Sequence, residues 1–479
     1  MKNSTIVRYL GSLEGPEQRR FREFAGSPYF NKHEKTRELL DILTGLLQRK
    51  KPDLGRRQVY RKLFPGEEFD GQKLNNVVSF LLRLFARFCA IEKFESREWE
   101  RGLTLLESGK SGRLPKLFGR TERQLKIKFE KNRQKDAPFF YANYRYYKSL
   151  AQRHQKENAT ATTQSLQLAS DNLDLFFLIE KLRLSCEMLA QKEVISSHFE
   201  LSFINALIPE IENRKEFKRQ YAIRVYSSIF GMLKNPGAEN FYQKLKKLMG
   251  EYLPFFSKQE GLDIFNHAQN FCVRQINLGN LSYVEELHDL YLNALENKLL
   301  IDNNEINEWV YANISSVACR LKKYGWAKSF LEEYKPCLGK AARENAYNYN
   351  LAFYHYQKKE YGPARQLLTN LEFTDYFYQF NSRNLLMKIY FEEKEWELLE
   401  YLLESFRIFL LRSKEGGSYH RKNNLNLIRM VKKLAKLKEG KYSMDKKRYA
   451  GEMKKMKGGI EKNKNILNKK WLLEQIGNE

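Results

Sequence analysis

Residues 345–371 read NAYNYNLAFYHYQKKEYGPARQLLTNL, and this stretch decides the fold. Its apolar and small residues, among them Ala352 in the first half and Tyr361 and Ala364 in the second, stand where a helix–turn–helix unit needs its packing residues. The small side chain of Ala364 allows the second helix to approach the first. The ring of Tyr361, three positions earlier, fills the bend between the helices. The stretch therefore predicts a helical hairpin.

The same pattern recurs on both sides of this stretch. Segments that begin near residues 308 and 383 align with it without gaps over roughly two dozen positions. The aromatic residues at the bend are Tyr324, Tyr361 and Trp396, which are 37 and 35 residues apart. A single hairpin leaves one apolar face uncovered, and only the next hairpin buries it, so such units occur in arrays.

The pattern over residues 308–408 resembles the tetratricopeptide-repeat family. It departs from the family in the third unit, where Leu399 takes the place of the small residue, and no unit ends in the expected proline. The resemblance implies an all-α fold, a right-handed α-solenoid of antiparallel helical hairpins. The whole chain is also similar to uncharacterised helical-repeat proteins of Bacteroidota, through SPYFNKHEK (27–35), LFPG (63–66) and WLLEQI (471–476). That likeness implies a bacterial, cytoplasmic protein and no particular activity.

In tetratricopeptide arrays the first helix of each unit lines a concave groove that binds peptides. The resemblance carries this role to seven positions here, namely Trp309, Tyr349, Phe353, Tyr356, Asn384, Lys388 and Phe391. The alternative is that these aromatic residues pack against neighbouring helices or against a returning segment of the chain. We expect a non-enzymatic scaffold that binds a protein or peptide partner.

Three segments are expected along the chain. Residues 1–135 predict an N-terminal helical bundle, in which a helix over about residues 72–91 carries apolar residues at three- and four-residue spacings. Residues 136–411 predict a stack of helical hairpins, interrupted by a helix break or loop at ENATATTQS (157–165). Residues 412–479 predict a basic helical cap. No strand is expected anywhere, because no Asn-Gly or Asp-Gly pair lies between alternating segments.

The net charge of +26 is distributed unevenly. Residues 137–411 are neutral, whereas residues 412–479 hold 20 basic and 7 acidic side chains and residues 101–136 hold 11 and 4. In the last segment Leu427, Val431 and Leu434 form an apolar stripe with lysines around it, which predicts a basic amphipathic helix. The candidate polyanion contacts are Lys432, Lys433, Lys436, Lys438, Lys446, Lys447 and Arg448.

Three roles suit this basic segment: a cap on the helical stack, contact with a polyanion such as RNA, or contact with an anionic membrane surface. A cap is favoured by Trp471, Leu472, Leu473 and Ile476, since a disordered tail has no use for such apolar side chains. Nucleic-acid binding is the alternative function. The excess of lysine over arginine favours nonspecific charge contact over base recognition.

Catalytic and cofactor signatures are lacking. The stretch TLLESGKSG (104–112) approaches a phosphate-binding loop, but Thr104 stands where the first glycine belongs. The seven histidines are scattered, with no HExxH motif and no Cys/His cluster at zinc spacing. Neither a signal peptide nor a membrane span is apparent. The five cysteines contain no CxxC pair, so we expect reduced thiols that serve as small core residues.

Overall fold

The structure, a computed structural model, describes residues 4–48, 55–97, 99–108, 114–155, 159–195, 199–235, 237–369, 376–413, 418–462 and 466–477. Over these residues the chain is almost wholly helical, so the all-α prediction is confirmed. The chain divides into two compact units, Met1–Ser185 with Leu201–Ile223 and Cys186–Glu200 with Arg224–Glu479. The segment boundaries expected at residues 135 and 411 stay predictions.

The helices of the first unit differ widely in length. They are α1 (Thr5–Ser12), α2 (Gly15–Gly26), α3 (Glu34–Gln48), α4 (Arg56–Leu63), α5 (Gly71–Glu95), α6 (Glu100–Glu107), α7 (Pro115–Lys131), α8 (Ala137–His154), α9 (Ala159–Ile195), α10 (Ser202–Asn213), α11 (Lys215–Arg219) and α12 (Tyr221–Lys234). The part of α9 after Ser185 and most of α12, from Arg224 onward, belong to the second unit.

Side chains at several helix starts explain where these helices begin. Asp70 precedes α5 and accepts hydrogen bonds from the backbone N–H groups of Gln72 (2.8 Å) and Lys73 (3.0 Å). Asp136 does the same before α8 for the N–H of Phe139 at 3.0 Å. Each bond satisfies a donor that the helix itself leaves unpaired.

Helix α5 is the one described helix that is long and apolar enough, by length and composition, to cross a membrane. Core helices of soluble proteins pass the same test. Leu74, Leu81, Leu84 and Phe88 of α5 are buried against the apolar side chains of α1 to α4. This packing is consistent with a chain that has no integral membrane segment.

The helix break or loop expected at residues 157–165 is shorter than predicted, because α8 ends at His154 and α9 already begins at Ala159. The hydroxyl of Thr163 donates a 3.0 Å hydrogen bond to the carbonyl of Ala159, one turn earlier. Such a bond satisfies the side chain within the helix, so the threonine-rich stretch does not end it. Residues 157 and 158 lie outside the described residues.

The second unit holds the predicted hairpins. Its helices are α13 (Glu239–Tyr252), α14 (Lys258–Asn277), α15 (Tyr283–Glu296), α16 (Glu308–Arg320), α17 (Tyr324–Tyr334), α18 (Arg343–Gln357), α19 (Tyr361–Thr369), α20 (Tyr376–Glu392), α21 (Trp396–Arg412), α22 (Ser418–Glu439), α23 (Lys446–Lys462) and α24 (Lys469–Gly477). Each helix from α13 to α23 contacts the helix that follows it. In addition, α16 contacts α18, and α18 contacts α20.

A small antiparallel hairpin contradicts the expectation that the chain has no strands. It consists of β1 (Ile301–Asp302) and β2 (Glu305–Ile306). Asn303 and Asn304 form its turn with φ of 47° and 63°. Asparagine tolerates this left-handed region better than most residues, so an Asn-Asn pair supports a tight turn that usually contains glycine.

The cysteines divide by environment. Cys186, Cys272 and Cys319 are buried, Cys337 is half-buried and Cys89 is exposed, so the prediction of core residues is wrong for Cys89. Burial raises the pKa of the Cys272 and Cys319 thiols to about 12.

Candidate functional site

Three hairpins carry the predicted groove: α16 with α17, α18 with α19, and α20 with α21. The bend residues Tyr324, Tyr361 and Trp396 are each the first residue of the second helix. Ala327, Ala364 and Leu399, three positions later, are at most 1% exposed. In each hairpin, the position of the second helix that the sequence predicts as a packing residue is therefore buried.

The turns of the three hairpins have the same backbone conformation. Lys322, Lys359 and Lys394 stand two residues before the bend aromatics and have φ of 58°, 61° and 61°. One backbone hydrogen bond closes each turn across five residues: from Lys323 N–H to Ala318 O (3.0 Å), from Glu360 N–H to His355 O (2.9 Å) and from Glu395 N–H to Tyr390 O (2.9 Å). This arrangement ends a helix with one residue in the left-handed region.

The bend tyrosines join one hairpin to the next. The Tyr324 hydroxyl donates a 3.0 Å hydrogen bond to the carbonyl of Gln357, at the end of α18. The Tyr361 hydroxyl donates a 2.5 Å hydrogen bond to Glu392 Oε2, at the end of α20. Burial, and after it the hydrogen bond to Glu392, raise the pKa of the Tyr361 hydroxyl.

Glu392 is the polar centre of the site. Its Oε1 accepts hydrogen bonds from the Tyr356 hydroxyl at 2.6 Å and from the Trp471 indole Nε1 at 2.7 Å. With Tyr361, three donors from three helices converge on this half-buried carboxylate. Such charge-assisted bonds are stronger than bonds between neutral groups, and convergence keeps the carboxylate satisfied away from bulk water.

Trp471 brings α24 onto the first helices of the hairpins. Its ring lies 5.4 Å from the Phe391 ring, edge to face, and 5.8 Å from the Lys388 Nζ. Trp471 is 8% exposed and the adjacent Leu472 is fully buried. Part of the predicted groove is thus covered by a returning segment, as the alternative interpretation of the sequence states for these aromatic residues.

Lys388 is half-buried beside this tryptophan. Desolvation lowers its pKa to about 8 from 10.5, and Arg320 adds to the effect while Glu392 and Glu474 oppose it. Among the described residues, no carboxylate lies within ion-pair distance of its ammonium. The ammonium of Lys388 therefore interacts with the face of the Trp471 ring and, at longer range, with the carboxylates of Glu392 and Glu474.

The structure divides the seven predicted groove residues into groups. Tyr356, Lys388 and Phe391 gather around Trp471, and Phe391 is only 2% exposed. Phe353 and Tyr349 are half-buried against α20, where Leu385 and Ile389 are nearly or fully buried.

The remaining predicted residues have their own surroundings. Trp309 lies near the start of α16 and is 44% exposed. The ring of Tyr349 lies 6.1 Å from the Tyr378 ring, and the Tyr378 hydroxyl donates to Glu308 Oε2 at 2.7 Å. Asn384 donates to the carbonyl of Phe380 at 3.2 Å. An aromatic surface with an exposed tryptophan thus remains at the α16 end.

The basic candidates differ in their availability. Lys432 forms a 2.8 Å ion pair with Glu400, which lowers the pKa of that carboxyl. Lys438 lies 5.9 Å from the centre of the Phe391 ring. Both lysines are half-buried, so they contribute to packing as well as to charge.

The other basic candidates, Lys433, Lys436, Lys446, Lys447 and Arg448, are exposed. The stripe Leu427, Val431 and Leu434 of α22 is fully buried, together with Leu399 and Leu403 of α21. Helix α22 therefore buries its apolar stripe in the core and exposes basic side chains on its other face.

One residue of the site, Glu392, escapes reasoning from the sequence. It is the last residue of α20 and is followed by Glu393, Glu395 and Glu397, so no local pattern distinguishes it. Trp471 is predicted only as an apolar residue that favours a cap, and its partners in α20 are not predicted. Residues 109–113, which belong to the stretch that approaches a phosphate-binding loop, lie outside the described residues.

Compared with models of protein families, with curated proteins and with solved structures, the chain matches none.

Proposed function

We propose that this protein is a non-enzymatic, cytoplasmic scaffold that binds a peptide or protein partner on the surface of α16, α18 and α20. In this proposal the hairpins form a right-handed α-solenoid similar to tetratricopeptide arrays, and the first helices line its concave side. The equivalent turns at Lys322, Lys359 and Lys394 support a regular array.

One observation carries the proposal: this surface already holds a tryptophan from α24, a helix outside the three hairpins. Trp471 is bound by a ring contact with Phe391, by a hydrogen bond to Glu392 and by the nearby cation of Lys388. Aromatic side chains that combine apolar burial with one hydrogen bond are typical anchors of protein interfaces. A partner helix with such an anchor fits the same chemistry.

The partner would bind at the α16 end, because α24 covers the other end. Trp309 is 44% exposed there, and Tyr349 and Tyr378 lie beside each other with Glu308. Tryptophan and tyrosine are enriched among residues that dominate binding energy, since they bury much area at a small cost in conformational entropy.

The test is partner retention by matched variants. The full chain, the variant Trp309→Ala/Tyr349→Ala and the control Tyr401→Ala are used to purify partners from the native host, and each retained protein is then titrated against purified chain by calorimetry. Tyr401 is 77% exposed on α21 and lies outside the surface. We expect the double variant to bind a partner less tightly than the control does, with a loss in binding free energy of about 2 kcal/mol or more.

If every partner is retained by the double variant while its circular dichroism is unchanged, the proposal is wrong. Loss of a partner by the control as well would mean that binding depends on another face of the hairpins.

Nucleic-acid contact is the second candidate function, and the exposure of Lys446, Lys447 and Arg448 at the start of α23 favours it. Charge reversal is the suitable test, because a truncation at residue 411 would uncover the core that α22 completes. We expect Lys446→Glu/Lys447→Glu to weaken binding of a single-stranded RNA of about 20 nucleotides, with affinity that falls steeply with salt. Equal binding by the variant would exclude this role for α23.

A further inference from the structure

A cleft of 480 Å³ lies between α22 and α23, and none of its lining residues belongs to α16, α18 or α20. Its floor is apolar and is made by Met430 and Leu437 of α22, Met444 from the turn after it, and Met456 of α23. Three of the four floor residues are half-buried, so they are accessible from the solvent side.

Methionine is an adaptable residue for such a floor. Its unbranched, polarizable side chain adjusts to apolar groups of different shape, and grooves that receive amphipathic helices use it often. The floor of this cleft has no aromatic ring on which a nucleobase can stack. The composition therefore favours an apolar peptide side chain over a base.

The rim of the cleft is basic on the α22 side, and on the α23 side it holds one lysine and one carboxylate, that of Glu452. Lys433 and Lys436 extend from α22, and Lys455 extends from α23. Both lysines of α22 are exposed and make no ion pair with any described residue. Lys455 pairs with Glu452 at 2.9 Å, but its side chain is 75% exposed, and ion pairs at such positions contribute little stability. The rim can thus accept carboxylates from a ligand.

We infer that this cleft binds an acidic amphipathic helix of a protein partner. An apolar stripe on the helix would contact the methionines, and carboxylates on both sides of the stripe would pair with the lysines of the two walls. A phosphate backbone matches the rim but offers nothing to the floor. A neutral apolar helix matches the floor but leaves the rim without counter-charges.

Gly459 provides a way to fill the cleft without disturbing the chain. It lines the cleft, and a Cβ atom at this position would meet no other atom within 4 Å. Gly451 lies on the same helix, is equally open and does not line the cleft. Leucine is a good helix former, so Gly459→Leu and Gly451→Leu are both expected to fold.

The experiment measures fluorescence anisotropy of a labelled helical peptide of about 16 residues, with leucines on one face and glutamates elsewhere. The full chain is compared with Lys433→Glu/Lys436→Glu and with a control of equal net charge, Lys422→Glu/Lys457→Glu. A peptide of the same composition without the stripe is titrated in parallel. We expect about a tenfold or greater loss for the cleft variant and for Gly459→Leu, and little change for the two controls.

The inference fails if the two charge variants weaken binding equally, because the peptide then responds only to overall charge. It also fails if the peptide without the stripe binds as well as the amphipathic one, or if Gly459→Leu binds normally. Displacement of the peptide by a single-stranded RNA that loses affinity in the cleft variant would assign these lysines to nucleic acid instead. The proposed function at α16 to α20 is unaffected by any of these results.

Discussion

Trp471 donates a 2.7 Å hydrogen bond to Glu392, a residue 79 positions earlier in the chain. This bond and the ring contact with Phe391 hold α24 on the hairpins. We expect Trp471→Ala to destabilise the docked helix by about 3 kcal/mol or more, because a large buried ring is lost. Trp471→Phe keeps most of the ring and should cost about 1 kcal/mol, since Glu392 retains two tyrosine donors.

Hydrogen exchange of the amides in α24 is the suitable measurement, because it reports local opening of one helix. Tyr401→Phe, at an exposed position, serves as the control. Unchanged protection of α24 in Trp471→Ala would contradict the docking role.

Lys388 should make stability depend on pH. Its pKa is lowered to about 8 by desolvation, whereas the unfolded chain keeps the ordinary value of 10.5. Between these values the unfolded state binds more protons, so this group makes the free energy of unfolding rise with pH over that range. Below pH 8 the buried charge has its full cost.

We therefore expect Lys388→Met to stabilise the protein at pH 7, by about 2 kcal/mol. The difference from the wild type should shrink as the pH rises from 8 towards 10.5. Urea denaturation of both proteins at several pH values measures it, and Lys422→Met controls for the loss of one charge. A destabilised Lys388→Met at pH 7 would show that the ammonium has a favourable partner.

Lys359 occupies a backbone conformation that favours glycine, with φ of 61°. Removing its Cβ relieves a cost of about 1 kcal/mol, while glycine adds flexibility to the unfolded chain. Lys359→Gly should raise the free energy of unfolding by about 0.5 kcal/mol, whereas Lys359→Ala, which keeps the Cβ, should not. Parallel urea denaturation of the two variants gives the answer, and a gain in the alanine variant alone would refute the conformational cause.

Gly231 allows a close approach between α12 and α13. A Cβ at this position would lie 2.4 Å from the ring of Phe241, so Gly231→Ala must displace that ring. We expect a loss of about 1 to 3 kcal/mol, although alanine favours a helix over glycine by about 1 kcal/mol. Gly250→Ala in α13 has open space and should be neutral or stabilising. Thermal denaturation compares them, and equal melting temperatures would disprove the predicted clash.

The hairpin predicted from residues 345–371 corresponds to α18 and α19, and the all-helical fold follows from such periodic segments. Periodicity is a local property, so it reports which face of a helix is buried and not what buries it. Phe391 shows this limit. It has the offset of a groove residue, yet Trp471, 80 positions later, covers it.

The left-handed conformation of three lysines could not be predicted from the sequence. Lys322, Lys359 and Lys394 share the same offset from the bend aromatics, but lysine carries no signal for positive φ of the kind that glycine carries. The lining of the cleft between α22 and α23 could be predicted only in part. The basic residues are evident in the sequence, whereas the methionine floor forms only where the two helices pack together.

The hydroxyls of Tyr324 and Tyr361 each reach out of their own hairpin to the end of the first helix of the next. In a nearest-neighbour description of stacked units, they therefore belong to the coupling energy between units and not to the intrinsic stability of either. Replacing both by phenylalanine should leave each hairpin formed and reduce the cooperativity with which the hairpins unfold together. Trp396 has no hydroxyl. The third hairpin is coupled to the helix that follows it by direct packing of α21 on α22.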